Sequence, residues 1–200
     1  MTEQTASYRD LLDSIAALAP ADQALVREYV AYLRWRSERL AQDDRRAGRP
    51  WRYSFLENLA GADVRASRVA EGMEVKLGEA VVGGERRPAL WQHPPVDGEA
   101  QIDYHVPVPA GLRDLRLRAA IGIRDGGQGD DRLVAFRVRV DGWQVWSRAA
   151  YPRVWQPLEI KLPFQAGNVL RLTLATDGLG QHPWAWAVWA DPELTGELDE

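Results

Sequence analysis

The chain contains no cysteine, which excludes disulfides and thiolate chemistry. Lysine is nearly missing as well. Of 25 basic residues only Lys76 and Lys161 are lysine, and the rest are arginine. Such a skew fits a GC-rich coding bias, and it favours ion-pair and aromatic-stacking contacts. The formal net charge of −4 leaves no global electrostatic case for binding nucleic acid. No apolar run approaches the roughly 20 residues that span a bilayer. Met1–Asp10 has no basic stretch followed by an apolar core, so no secretory leader is read there and a cytoplasmic location is expected. Catalytic signatures are missing too: there is no Gly-x-Ser-x-Gly elbow, no His-Glu-x-x-His and no P-loop. His93, His105 and His182 are scattered, and two of them precede prolines. The expectation is a protein that is not an enzyme.

Tryptophan is present in excess. The chain has nine, and six fall between Trp143 and Trp189. Each supplies a large rigid ring and one N–H donor, which suits cores, interfaces and sugar-stacking platforms alike. Two hundred residues are ample to bury a core.

The segment up to about residue 45 reads as helical. Ser7 precedes Asp10 in a loose capping arrangement, and Leu11, Leu12, Ile15 and Leu18 make one apolar stripe. Pro20 suits the first residue of a second helix, along which Val26, Tyr29, Val30 and Leu33 recur at helical spacing. An antiparallel helical hairpin over residues 1–45 is expected. It is similar to hairpins of small antitoxin-like and adaptor proteins, which implies a protein partner or self-association through residues 7–45. The polar run Gln42–Pro50 reads as a linker, with a short helix inside Trp51–Ala60, so residues 46–60 separate the hairpin from the remainder of the chain.

From residue 61 to 196 the pattern changes period. Strand-like segments come at about 74–82, 100–108, 112–123, 133–140, 143–148, 158–162, 169–175 and 184–189. Short strands punctuated by Gly, Pro and Asp indicate an antiparallel sandwich. Leu115, Leu117, Ala119, Ile121 and Ile123 share one face against Arg116, Arg118 and Arg124. Val134, Phe136, Val138 and Val140 alternate with Arg137 and Arg139, and Leu170, Leu172 and Leu174 alternate with Arg171 and Thr173. Period-two alternation puts the aliphatic sets inside and the arginines in solvent. Asp141-Gly142 is a two-residue hairpin signal.

Several ordered pieces carry a resemblance: His93-Pro-Pro95, Val106-Pro-Val-Pro109, Leu115–Ile123, Val134–Gly142, Trp155 before Leu158–Leu162, Ala166–Leu174 and Trp186–Pro192. Together they resemble bacterial jelly-roll carbohydrate-binding modules of the NPCBM-like and galactose-binding-like groups. The resemblance implies a mainly β, jelly-roll β-sandwich that binds a glycan without catalysis, through end loops or a concave sheet face. A structural or interaction scaffold is the alternative.

Three constellations are candidates for a site. Among Trp143, Trp146, Trp155, Trp184, Trp186 and Trp189, stacking surfaces for pyranose rings are sought first at Trp143, Trp146, Trp155 and Trp184, against core or helix packing as the alternative. Arg86, Arg87, Trp91 and His93 form a compact set suited to an anionic group, or else a strand entry with surface arginines and a buried Trp. Gly126–Val134 fits one copy of a calcium-binding nonapeptide. A structural calcium held by Asp125, Asp130 or Asp131 is weighed there against a solvated glycine-rich loop. No other cofactor is implied.

Overall fold

Alternating aliphatic residues need a surface to cover them, and two antiparallel sheets facing each other supply it. A computed structural model describes residues 13–20, 22, 23, 26, 30, 49–66, 75–127, 132–181 and 183–199, in two units, Met1–Ala47 and Gly48–Glu200. In the second unit the first sheet has six strands. Its order is β3 (Lys76–Val82), β4 (Glu85–Trp91), β11 (Ala187–Leu198), β6 (Leu112–Ile123) and β9 (Gln156–Lys161), and β1 (Arg49–Ser54) also pairs with β11. The second sheet runs β2 (Asp63–Ala66), β5 (Glu99–Pro107), β10 (Val169–Asp177), β7 (Val134–Val140) and β8 (Trp143–Ala150). The fold is a mainly β antiparallel sandwich.

The inner faces are those the alternation indicates. Leu115, Leu117, Ile121 and Ile123 on β6 meet Phe136 and Val138 on β7 and Leu172 and Leu174 on β10 in one buried cluster. Trp189 is the largest fully buried side chain, packed edge-on against Phe136 at 5.4 Å and against Trp146 at 6.3 Å. Two polar side chains, Gln92 and Thr176, lie buried between the sheets, and the Thr176 hydroxyl donates to the Gln92 carbonyl at 2.6 Å. The Gln92 amide donates to the carbonyls of Ala100 and Leu174 and accepts from Trp189 Nε1 at 2.8 Å. Because its amide is fully partnered, its burial carries no desolvation penalty of the unsatisfied kind.

Three local expectations need correction. Residues 51–60 do not open with a helix: Trp51, Tyr53 and Phe55 follow a strand's period of two, with Trp51 stacked on Tyr53 at 6.5 Å and Tyr53 edge-on to Phe55 at 5.5 Å. Only Leu59–Gly61 makes a short 3-10 turn. The segment 83–95 contains β4, entered through Gly83 and Gly84 at φ +60° and +79°, a tight turn that glycine makes without strain. The last strand begins at Ala187, so Trp184 and Trp186 precede it, and it continues through Pro192 to Leu198. A register shift between Ala190 and Glu193 bends β11 and removes the need for an amide at Pro192. Its first half pairs with β4 and its second with β1.

In the first unit Asp13–Ala16 and Pro20, Asp22, Gln23, Val26 and Val30 are helical. The Gln23 amide donates to the carbonyls of Ala16 and Leu18, closing the turn between them. Leu11, Leu12, Tyr29 and Leu33, which the hairpin reading relies on, lie outside the described residues.

Candidate functional site

The end of the sandwich where β6 stops and β11 starts gathers most of the aromatic and cationic chemistry. Its frame is backbone hydrogen bonding: Ile123 N–H to Pro152, Arg124 N–H to Trp186 and Asp125 N–H to Val81, at 2.8–3.0 Å. The β3–β4 hairpin lies across the outer face of β6 and β11. There Ala80, Val82 and Ala89 pack against Ala120, Val188, Ala190 and Trp155. Gly122 makes this possible, since a Cβ there would sit 2.8 Å from Val82 Cγ2. The outer face of β6 is therefore wet at Arg118 and covered from Ala120 onward.

Arg124 emerges at the edge of that cover. Its guanidinium carbon lies 3.4 Å from the centre of the Trp91 ring and 5.4 Å from that of Trp186. Burial between these rings pushes the Arg124 pKa below its ordinary value. No carboxylate among the described residues pairs with it. Trp186 leans on Trp184 at 5.3 Å, and Trp184 is 38% exposed. Trp184 is held at φ +63°, a left-handed conformation that a bulky residue adopts at a cost of order 1–3 kcal/mol. The Tyr151 hydroxyl donates to the Trp184 carbonyl at 3.0 Å, and Arg132 and Arg153 donate to the carbonyls of Pro183 and Gly127. Trp184, Trp186, Arg124 and Tyr151 thus form one half-exposed aromatic and cationic ledge.

The other sequence-derived candidates are distributed differently. Trp143 stands at the β7–β8 turn, 79% exposed, at the opposite end of β8 from Tyr151. Trp146 packs on the core against Trp189. Trp155 is buried in the outer cluster, with Nε1 donating to the Glu85 carbonyl at 3.0 Å. Packing takes up both of these rings. Arg86 pairs with Glu79 and Arg87 with Glu85. His93 Nδ1 lies 2.8 Å from the Pro94 carbonyl. Of that set, only Trp91 joins the ledge.

Asp125 has a structural role at the neighbouring turn. Both carboxylate oxygens accept backbone N–H groups, from Gly83 at 2.8 Å and Gly84 at 2.9 Å, so Asp125 caps the β3–β4 turn. Asp130 and Asp131 lie outside the described residues.

Arg124 is the residue sequence reasoning places wrongly. Alternation groups it with Arg116 and Arg118, which both reach Glu159. The covering hairpin gives Arg124 a different environment.

Residues 97–195 match the NPCBM/NEW2 domain. Over 86 residues the chain is 31% identical to Alpha-1,3-galactosidase B of Akkermansia muciniphila, covering 43% of this chain but 11% of that protein. Solved structures of similar shape include the CBM51 module of Clostridium perfringens GH95 in complex with methyl-galactose. That match has 13% identity and a TM-score of 0.47, and covers 72% of this chain and 99% of that one. Another is the tandem CBM51 modules of a family 98 glycoside hydrolase from Streptococcus pneumoniae SP3-BS71, with 14% identity and a TM-score of 0.49, covering 73% and 49%. The domain match spans β5 to most of β11, a stretch that includes Arg124, Tyr151, Trp184 and Trp186.

Proposed function

We propose that the unit Gly48–Glu200 is a non-catalytic carbohydrate-binding module whose ligand rests on the Trp184 ledge. The observation that carries this is the placement of Trp184. A partly exposed indole at a left-handed backbone position adds little to the core and offers a face to the C–H side of a pyranose. Hydrogen-bonding side chains surround it, as orientation of sugar hydroxyls requires. The NPCBM/NEW2 match and the galactosidase relative support the same reading. Nothing in the ledge pairs a nucleophile with a base, and the neighbouring carboxylate, Asp125, is engaged by two amides. That chemistry supports binding without turnover.

A glycan array probed with the full chain tests the proposal. Binding to one or more glycans, lost in Trp184→Ala at unchanged melting temperature, is expected. An array without hits would remove the carbohydrate reading and leave the scaffold alternative.

A further inference from the structure

Resting on that reading, we infer that the ledge selects an anionic sugar, one whose carboxylate or sulfate meets the free N–H edge of Arg124.

The ion-pairing pattern of the whole sandwich leads to this. Apart from the exposed Arg49, Arg148 and Arg171, the described arginines of the sheets end on acids. Arg116 and Arg118 reach Glu159, Arg137 reaches Glu99 and Asp177, Arg139 reaches Glu99, and Arg65 reaches Asp103. Arg124 is drawn part-way out of water as Arg137 and Arg139 are, yet what it meets is π-faces. A guanidinium stacked 3.4 Å above an indole has its flat face occupied, while its N–H donors project in its own plane. Those donors match the two oxygens of a carboxylate, or two of a sulfate, in a fork. Cation–π contact compensates only part of the hydration a guanidinium loses, and an arriving anion would supply the rest.

Surrounding charge favours the same ligand. Arg153 sits over Tyr151 at 5.6 Å. The Asp125 carboxylate is turned toward the hairpin amides. Trp186 links Arg124 and Trp184, 5.4 Å from the Arg124 guanidinium and 5.3 Å from the Trp184 ring. The ledge therefore offers stacking for a pyranose and a cation for its acidic substituent.

Isothermal titration of the full chain with matched pairs provides the test: methyl galactoside against methyl galacturonide, methyl glucoside against methyl glucuronide, and galactose against galactose 6-sulfate. Preference for the acidic member by tenfold or more is expected. Galacturonide against 6-sulfate then identifies which anion is meant. The preference should fall steeply between about 50 and 500 mM salt, because two charges meet at a partly exposed site. Arg124→Gln should abolish the preference while weak neutral-sugar binding persists, and Trp184→Ala should remove both. If the variant fails to fold, the salt dependence of the unmodified chain still decides. Equal affinity for neutral and acidic partners, independent of salt, would overturn the inference and leave the carbohydrate reading standing. Failure of every sugar in the set, together with an array without hits, would remove both.

Discussion

Arg137, on the outer face of the second sheet, sits between Glu99 and Asp177, and Glu99 also takes Arg139 at 2.7 Å and Gln101 at 2.9 Å. Arg124, at the end of the first sheet, has two indole rings and no acid among the described residues. Register explains the difference. On β5, β10 and β7, Glu99 stands beside Asp177, and Arg137 pairs across from Ala175, so small and charged residues interlock within one plane. The side chains of Arg137, Glu99 and Asp177 are only 16–21% exposed because they shield one another. At Arg124 the shielding comes from a hairpin that crosses the sheet and brings Trp91 with it. Paired charges in a lattice of strands shield one another, whereas the Arg124 charge is shielded by aromatic faces.

The largest effect tests what both regions share. Phe136 is fully buried on β7, directly behind the Arg137 face. Phe136→Ala should cost about 3–5 kcal/mol through lost transfer energy and the cavity left. Urea unfolding would show it, and a loss below about 1 kcal/mol would mean that the sheets do not meet at that residue.

Breaking the charge lattice should cost less. Glu99→Ala leaves Arg139 without its acid and Arg137 with Asp177 alone. Since the group is partly exposed, a loss of about 1–3 kcal/mol is expected rather than the full cost of a deeply buried pair. Arg124→Gln strands no partner and should change stability by less than about 1 kcal/mol. If the two substitutions cost the same, the contrast between the regions is not energetic.

Acid sharpens the comparison. Burial pushes the Glu99 carboxyl up, but hydrogen bonding and the charge of Arg139, with the field of Arg137 and the Gln101 hydrogen bond, outweigh it and hold the carboxyl below its ordinary 4.5. A depressed folded-state pKa stabilises the fold above the unfolded value, and that contribution is lost as pH falls through the folded one. Stability should therefore decline below about pH 4.5, and less so in Glu99→Gln. Asp114, lowered chiefly by its hydrogen bond from Arg116, adds a background of the same sign that the variant retains. Identical acid profiles for the two proteins would show that the lattice does not depend on the Glu99 charge.

Much of the sandwich is legible in the sequence where one face is wet. Arg116, Arg118, Arg137, Arg139 and Arg171 alternate with aliphatic residues, and period two is visible. It fails where both faces are covered. Ala120–Ile123 is buried throughout, so the sequence shows an apolar run and no sign of what lies above it. β4 is hidden for the same reason: Ala89 and Leu90 are buried on opposite faces, in different clusters. Its entry turn, Gly83-Gly84, is a hairpin signal that the dense charges of Glu85, Arg86 and Arg87 obscure. The Trp51-Arg-Tyr-Ser-Phe55 alternation is likewise readable as a strand. Arg124 is not readable as a site, because the absence of an acid partner is a property of three-dimensional neighbours. Residue type alone nominates Trp184, and its exposure comes only from the loop that carries it.

The smallest effect discriminates best between two exposed indoles. Trp143 shows more of its surface than any other large hydrophobic residue in the described set, 79%, and follows Asp141 and Gly142 at φ +50° and +88°. The turn is held without it: Arg171 N–H donates to the Asp141 carboxylate, and Asp141 N–H donates to the Arg171 carbonyl at 2.8 Å. Trp143→Ala should therefore change stability by less than about 0.5 kcal/mol, as surface substitutions do. Exposure alone would nominate Trp143 above Trp184 as a sugar platform. The ledge reading says otherwise, because Trp143 has neither Arg124 nor Trp186 beside it, and a lone ring stacks without orienting the hydroxyls. Sugar affinity of Trp143→Ala is expected to equal that of the unmodified chain, measured by the same titrations that show a loss for Trp184→Ala. A loss at Trp143 with none at Trp184 would move the site to the β7–β8 turn and detach it from Arg124 altogether.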